Sequence, residues 1–382
     1  MNRRSPVKKA VLVWYKINKL SLLSSLIVMR DCLLNLQAGP AALEHLHQHG
    51  LHIRDFGYML AASGGPKWLV LAGLDKYLTQ EHPVDMQGIY GLGTSAGAFR
   101  LACYARQDAT QAITQFAHDY INTTYSGPRP PMEERDNSVK NILDGIVLGK
   151  EKDIISSPNM RPHWITSQCH GLGQRANWMT QIAHLGLSYM ANRVRREALG
   201  LLYSRSCFIP EDSRLQLQDP HQLPTDYHHL SSNNLYDSLL ASGTIPLFSP
   251  VRQNIVGAPG NHVDGGLLDY HFDMQLQGAT KPLVLYPHFS AQPRAGWFDK
   301  KLTRQPRPSS YDKVLLLTPS AAFLARLKQQ RLPERGDFRA YDDITRKQAW
   351  QQAVDLSNYL ADELQKVIVT QDLSLIKPLR LT

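Results

Sequence analysis

Twice in succession an apolar run of strand length meets a cluster of glycines and then a helical pattern. The first unit is "FGYMLAA" (56–62), Ser63-Gly64-Gly65-Pro66 and "KWLVLAGLDKYLTQ" (67–80). The second is "MQGIYGL" (86–92), Gly93-Thr94-Ser95-Ala96-Gly97 and "AFRLACYARQDATQAITQFAHDYI" (98–121), the last reading as one or two helices. Consecutive strand–turn–helix units of this kind build a mostly parallel sheet covered by helices on both faces, because parallel neighbours need a crossover connection. The expected class is therefore α/β. Pro66 falls in a first helical turn, where a missing N–H is no loss. Ligand sites of such sheets lie beyond the carboxyl ends of the strands, which is where both glycine turns fall.

The rest of the chain is read around these units. "AALEHLHQHGL" (41–51) is a short helix, and the polar, proline-rich stretch between Tyr125 and Arg161 is a surface excursion or a cap over the site. "HWITSQC" (163–169) reads as a strand, 176–205 as one long amphipathic helix, and 233–251 as a helix running into Pro246. "PLVLYPHF" (282–289) and "KVLLLTPS" (313–320) are strand-like, and 345–369 is a terminal helix. The expected organisation is a basic extension and short helix over 1–55, a core over 56–275, and C-terminal strands and helices over 276–382 packed on that core.

A formal charge of +9 raises the question of nucleic acid, but residues 1–30 hold seven basic residues and no acid, leaving a net +2 for the rest. No nucleic-acid partner is expected. Three readings of the basic head stay open: a secretory signal around "LSLLSSLIVM" (20–29), a basic helix lying on an anionic membrane, and a plain extension upstream of a start at Met29. No stretch approaches the roughly 20 apolar residues of a membrane span. Cys32, Cys103, Cys169 and Cys207 are scattered and read as reduced, buried residues of a cytosolic protein, with membrane association a further expectation. His45, His47, His49 and His52 read as a solvated helix end, and no metal is expected.

The second glycine turn admits two chemistries. Gly91-Leu-Gly93-Thr-Ser-Ala96 fits a dinucleotide fingerprint, but the window where a ribose-binding acid should end a second strand stays helical. Gly93-Thr-Ser95-Ala-Gly97 fits a nucleophile elbow, in which a tight turn lifts a serine hydroxyl clear of the sheet and a helix N-terminus faces developing negative charge. The amides of Gly64, Gly65 and Lys67 then stand as oxyanion donors in the same crevice.

Three separated motifs, "GGPK" (64–67), "GTSAG" (93–97) and "DGG" (264–266), with "ASGTIPLFSP" (241–250) shortly before the last, resemble the patatin-like phospholipases in kind and order. The resemblance covers roughly residues 56–275. It implies a three-layer α/β/α fold and a Ser-Asp dyad that cleaves carboxylic esters of phospholipids or other lipids without cofactor. Carried over by position, Ser95 is the nucleophile, Asp264 the base, Gly64, Gly65, Lys67 and Ala96 the oxyanion donors, Gly93 and Gly97 the elbow, and Gly265 and Gly266 the glycines beside the aspartate. Ser63 stands where the family usually has another glycine or an aspartate, and Trp68 replaces the glycine that often follows the basic residue. Three alternatives remain: a Ser-Asp-His triad using His271 or His288 with Asp237, a non-catalytic lipid-binding module, and a nucleotide-binding protein.

Overall fold

The computed structural model describes residues 32–175 and 177–381, so the readings attached to the basic head fall outside the described residues. The protein is α/β, with a mostly parallel central sheet flanked by helices, in keeping with three layers. In chain order the strands are β1 (Leu34–Ala38), β2 (Phe56–Ala61), β3 (Ile89–Gly93), β4 (Met160–Cys169), β5 (Tyr203–Ile209), β6 (Gln216–Gln218), β7 (Thr225–His229), β8 (Arg252–Ile255), β9 (Ala258–Asp264), β10 (Gln275–Gln277), β11 (Leu283–Pro287), β12 (Val314–Pro319) and β13 (Ile376–Pro378). The sheet runs β13-β1-β12-β11-β2-β3-β4-β5-β7, with β9 added beside β4 and β8 beside β9, while β6 and β10 pair separately. Its middle, β12-β11-β2-β3-β4, is parallel throughout. Every residue of β2, β3, β11 and β12 is buried, the near-continuous apolar pattern of strands covered on both faces.

Several elements depart from the sequence reading. The residues after 275 do not pack on the core from outside but complete it, since β11 and β12 lie between β1 and β2. Strand β1 lies within the segment read as an extension, where its pairing on both sides, with β12 and β13, outweighs the weak signal of a five-residue strand. The long helix stops at Val194, and its expected tail from Tyr203 is strand β5, recruited by antiparallel pairing with β4. The excursion after Tyr125 folds into helices Met132–Val147 and Glu151–Ile155. The helical stretch after β3 is two helices, Ala96–Ala105 and Ala109–Asn122. Of the cysteines, Cys103, Cys169 and Cys207 are buried and free, whereas Cys32 is exposed beside Glu363.

The helices that follow β2 and β3 are tied together beneath the glycine turns. Arg100 donates to both oxygens of Asp75 at 2.7 and 2.6 Å, and the Tyr104 hydroxyl adds a third bond at 2.9 Å. Both charges are within 1% of full burial. Removing one member leaves the other without a partner in a site that water does not reach. Asp75→Ala should therefore lower unfolding free energy by about 3–5 kcal/mol in urea titrations at neutral pH; a loss below 1 kcal/mol would show the pair to be dispensable.

Candidate active site

The site is set by where β3 stops. β3 pairs with β4 from Ile89 opposite Met160 to Gly93 opposite Trp164. Past that point β9 takes over, running antiparallel, with Asp264 opposite Thr166 and Asn261 opposite Cys169. The other edge of β4 is held by β5 across Trp164–Cys169. The turn after β3 and the end of β9 thus meet at the same place, bringing Ser95 and Asp264 together from 169 residues apart in sequence.

Ser95 has φ 55° and ψ −129°, in a region that a non-glycine residue occupies at a cost of about 1–3 kcal/mol. Its surroundings hold it there. Its amide donates to Ser242 Oγ at 3.0 Å, and that hydroxyl donates onward to the Ile165 carbonyl at 2.8 Å. On the preceding residue, the Thr94 amide donates to the Ala61 carbonyl and its hydroxyl to the Asp269 carbonyl at 2.9 Å. Close approach also explains two glycines: a Cβ on Gly97 would lie 1.9 Å from the Ala61 carbonyl oxygen, and one on Gly265 would lie 2.1 Å from that of Ile165.

Asp264 is 4% exposed and Ser95 2%. The Ser95 hydroxyl donates to the Asp264 carboxylate, and the Gly266 amide donates to its Oδ1 at 2.7 Å. The Asp264 main chain is pinned by Thr244 and by the Ser167 hydroxyl. Burial raises the carboxyl pKa, and the two hydrogen bonds and the cations Arg335 and Lys300 only partly oppose that rise. The outcome is a carboxylate of greater proton affinity than usual, hydrogen-bonded to a serine on a strained turn.

The amides of Gly64, Gly65 and Ala96 lie at the first positions of their turns, where a helix offers no acceptor, and they take none elsewhere among the described residues. The Lys67 amide instead donates to the Gly64 carbonyl, at a long 3.4 Å. Its expected role as a main-chain donor is therefore corrected, because the turn that presents the glycines uses that N–H to close itself. The Lys67 side chain reaches the site in another way, lining a cavity beside Asp264.

Two cavities flank the pair. One, of about 570 Å³, contains Ser95 and Ala96 and is walled by apolar groups including Phe99, Val139, Ile142, Ile245 and Phe248. Val139 and Ile142 come from the helix Met132–Val147, within the stretch read as a surface excursion or a cap. The other, of about 340 Å³, contains Asp264, Gly64, Gly65, Lys67 and Lys300. Ile245 and Arg335 line both.

His271 and His288 are buried, and each ring accepts a nearby backbone N–H, from Arg294 and Ser290 respectively. Burial lowers both pKa values, that of His288 to about 3. Neither histidine lines either cavity, and Asp237 does not either. Trp68 is fully buried and stacks on Phe116 at 4.3 Å, so it serves the core and not a cavity wall. Sequence reasoning missed the side chains of Lys300 and Arg335, which lie in loops without a motif, and the part played by Ser242, whose only signal was its place in "ASGTIPLFSP".

A raised folded-state pKa means that ionising Asp264 opposes folding: its favourable contribution is complete below about pH 4 and is lost as pH rises through the folded value. Asp264→Asn is therefore expected to raise the thermal midpoint at pH 8, with the gain shrinking toward pH 4. An equal shift at both pH values would contradict the assignment.

Compared with protein-family models the chain matches none, and the curated proteins likewise give no match.

Proposed function

We propose that the protein is a serine acyl hydrolase of the patatin-like kind, acting on carboxylic esters of lipids. The observation that carries this reading is the hydrogen bond between Ser95, held at positive φ, and the buried Asp264 at the junction of two cavities. Asp264 takes the hydroxyl proton as Ser95 Oγ attacks the ester carbonyl carbon. The oxyanion is received by the amides of Gly64, Gly65 and Ala96, with the positive end of the Ala96–Ala105 helix behind them. The carbon–oxygen bond to the alcohol then breaks, and Asp264 returns the proton to that alcohol. A water repeats the sequence on the acyl-serine, releasing the carboxylic acid and restoring the serine. None of these steps calls for a metal or organic cofactor.

The apolar part of the larger cavity, formed by Phe99, Val139, Ile142, Ile245 and Phe248, suits an acyl chain, with Arg129, Arg135 and Arg339 also in its lining. Work at a lipid surface is supported by the helix Trp178–Val194, which exposes Trp178 (62%), Met179 (76%) and Met190 (57%) while Leu185 lines the smaller cavity. Among the described residues no helix is long and apolar enough to cross a membrane, so such contact would be peripheral. Met179→Asp with Met190→Asp should reduce co-sedimentation with anionic vesicles several-fold; unchanged binding would remove this surface from the account.

A neutral fluorophosphonate should label Ser95, and Ser95→Ala should abolish both labelling and esterase activity. His271→Ala and His288→Ala should still be labelled. Because the base works only when ionised, kcat/KM should fall as pH drops through a value above the ordinary carboxylate range, without an imidazole limb near pH 6.5. Failure of Ser95 to label, or loss of labelling in a histidine variant, would refute the dyad.

A further inference from the structure

The larger cavity holds more charge than a hydrocarbon chain calls for. Arg129, Arg135, Arg335 and Arg339 line it together with Ser95, and among the described residues its lining has no aspartate or glutamate. Among the described residues none of the four is in a salt bridge; the ion pairs go to other arginines, such as Arg100, Arg205 and Arg252. Two segments supply the charge. Arg129 stands between Pro128 and Pro130, whose rings restrict the loop, and Arg135 is in the first turn of the helix Met132–Val147. Arg335 and Arg339 come from the stretch 332–341. The acids of these segments are engaged elsewhere, Glu134 with Ser126, Asp136 with Arg252, Glu334 with Arg331 and Asp337 with Trp350, while Glu133 is absent from the lining. Asp342 and Asp343, in a depression beside Arg339, are taken up by Thr345 and Arg346.

Apolar surface and charge follow one another from the serine outward. Ser95 is 2% exposed, and Phe99, whose amide donates to the Ser95 carbonyl, is buried as well. Phe248 is half-buried and carries the Arg135 guanidinium 4.3 Å from its ring centre. Arg135 is also half-buried, and its Nε, shut off from solvent, finds no acceptor among the described residues. Arg129 and Arg339 are exposed and form the rim. Arg335 is held by Tyr120 where the two cavities meet. A plain acyl chain would press hydrocarbon against guanidinium groups, which costs free energy, whereas a carboxylate matches their planar fork. The exposed apolar helix Trp178–Val194 contributes Leu185 to the smaller cavity and nothing to this one, so the arginines stand apart from the surface assigned to lipid contact.

Resting on the serine hydrolase reading, we propose that the acyl half of the substrate ends in a carboxylate, making the protein a hydrolase of monoesters of dicarboxylic acids. The scissile carbonyl lies at Ser95, the methylene chain along Phe99 and Phe248, and the distal carboxylate on Arg135, with Arg129 and Arg339 at the rim. The charge is thus carried by the acid that is released and not by the alcohol.

The experiment compares three esters over a series of chain lengths: one whose acyl chain ends in a carboxylate, one whose chain ends in the neutral carboxamide, and one with a plain acyl chain and the carboxylate on the alcohol. At the best length the wild-type full chain should show kcat/KM at least about tenfold higher for the first than for the second, with the preference falling as salt is added and the third gaining little. In Arg135→Met the ratio of the first to the second should fall toward one, and Arg135→Lys should restore only part of it, because an ammonium lacks the fork. Arg129→Met combined with Arg339→Met, at exposed positions, should also lower the ratio several-fold and carries the test if Arg135→Met does not fold. Labelling of Ser95 by the neutral fluorophosphonate reports an intact dyad in each variant. In a labelled enzyme, no preference for the acid-terminated chain at any length, an equal preference for the carboxylate on the alcohol, or a preference that survives these substitutions overturns this proposal alone; absence of labelling in the wild type overturns the hydrolase reading beneath it.

Discussion

One exchange of hydrogen-bonding partners organises this molecule: the edge of β4 that pairs with β3 as far as Trp164 pairs with β9 from Thr166 onward. A parallel strand gives way to an antiparallel one along a continuous backbone, and the gap between them is where the chain turns at Ser95. Had β3 continued, its ladder would have filled the space that Asp264 occupies. Had β9 been absent, the second half of β4 would offer unpaired N–H and C=O groups to the crevice, which buried backbone rarely tolerates. The sheet's own need for partners therefore delivers the carboxylate to the serine.

Two energetically unfavourable features coexist at that point, a non-glycine residue at positive φ and a carboxyl whose ionised form is poorly solvated. Neither survives without over-determined surroundings. Ser242 bonds the Ser95 amide, Ile165 bonds Ser242, and Thr94 is fixed to the loop that follows Asp264 through the Asp269 carbonyl. That loop is in turn clamped by Arg205, which donates to both oxygens of Asp269 at 2.6 and 2.9 Å, and by Arg196, which bonds the Leu268 carbonyl. Buried ion pairs of this kind are weak sources of net stability, but they leave few alternative arrangements for the segments they join.

Each half of the site opens on its own cavity. Phe99, Ile142 and Phe248 line one cavity together with Arg129, Arg135 and Arg339, Lys67 and Lys300 line the other beside Asp264 and Glu334, and Arg335 lines both. Ser95 lines the first and Asp264 the second.

Much of this was legible in the residues alone. Two strand–glycine–helix units dictated a parallel sheet, because the helix between the strands is the crossover that lets the second run in the same direction as the first, and the spacing of Gly93, Ser95 and Gly97 marked a turn that only small neighbours permit. Local chemistry of that kind is written in consecutive positions. The pairing of Asp264 with Ser95 was available only through resemblance, and strand β1, strands β5, β6 and β7 and the insertion of β11 and β12 beside β2 were not legible at all. Those features depend on which edges remain open once the rest has folded. Lys300 and Arg335 belong to the same class: loop residues without periodicity or motif, whose convergence on one cavity is decided by how distant segments pack, because electrostatic neighbourhood is a property of space and not of sequence order.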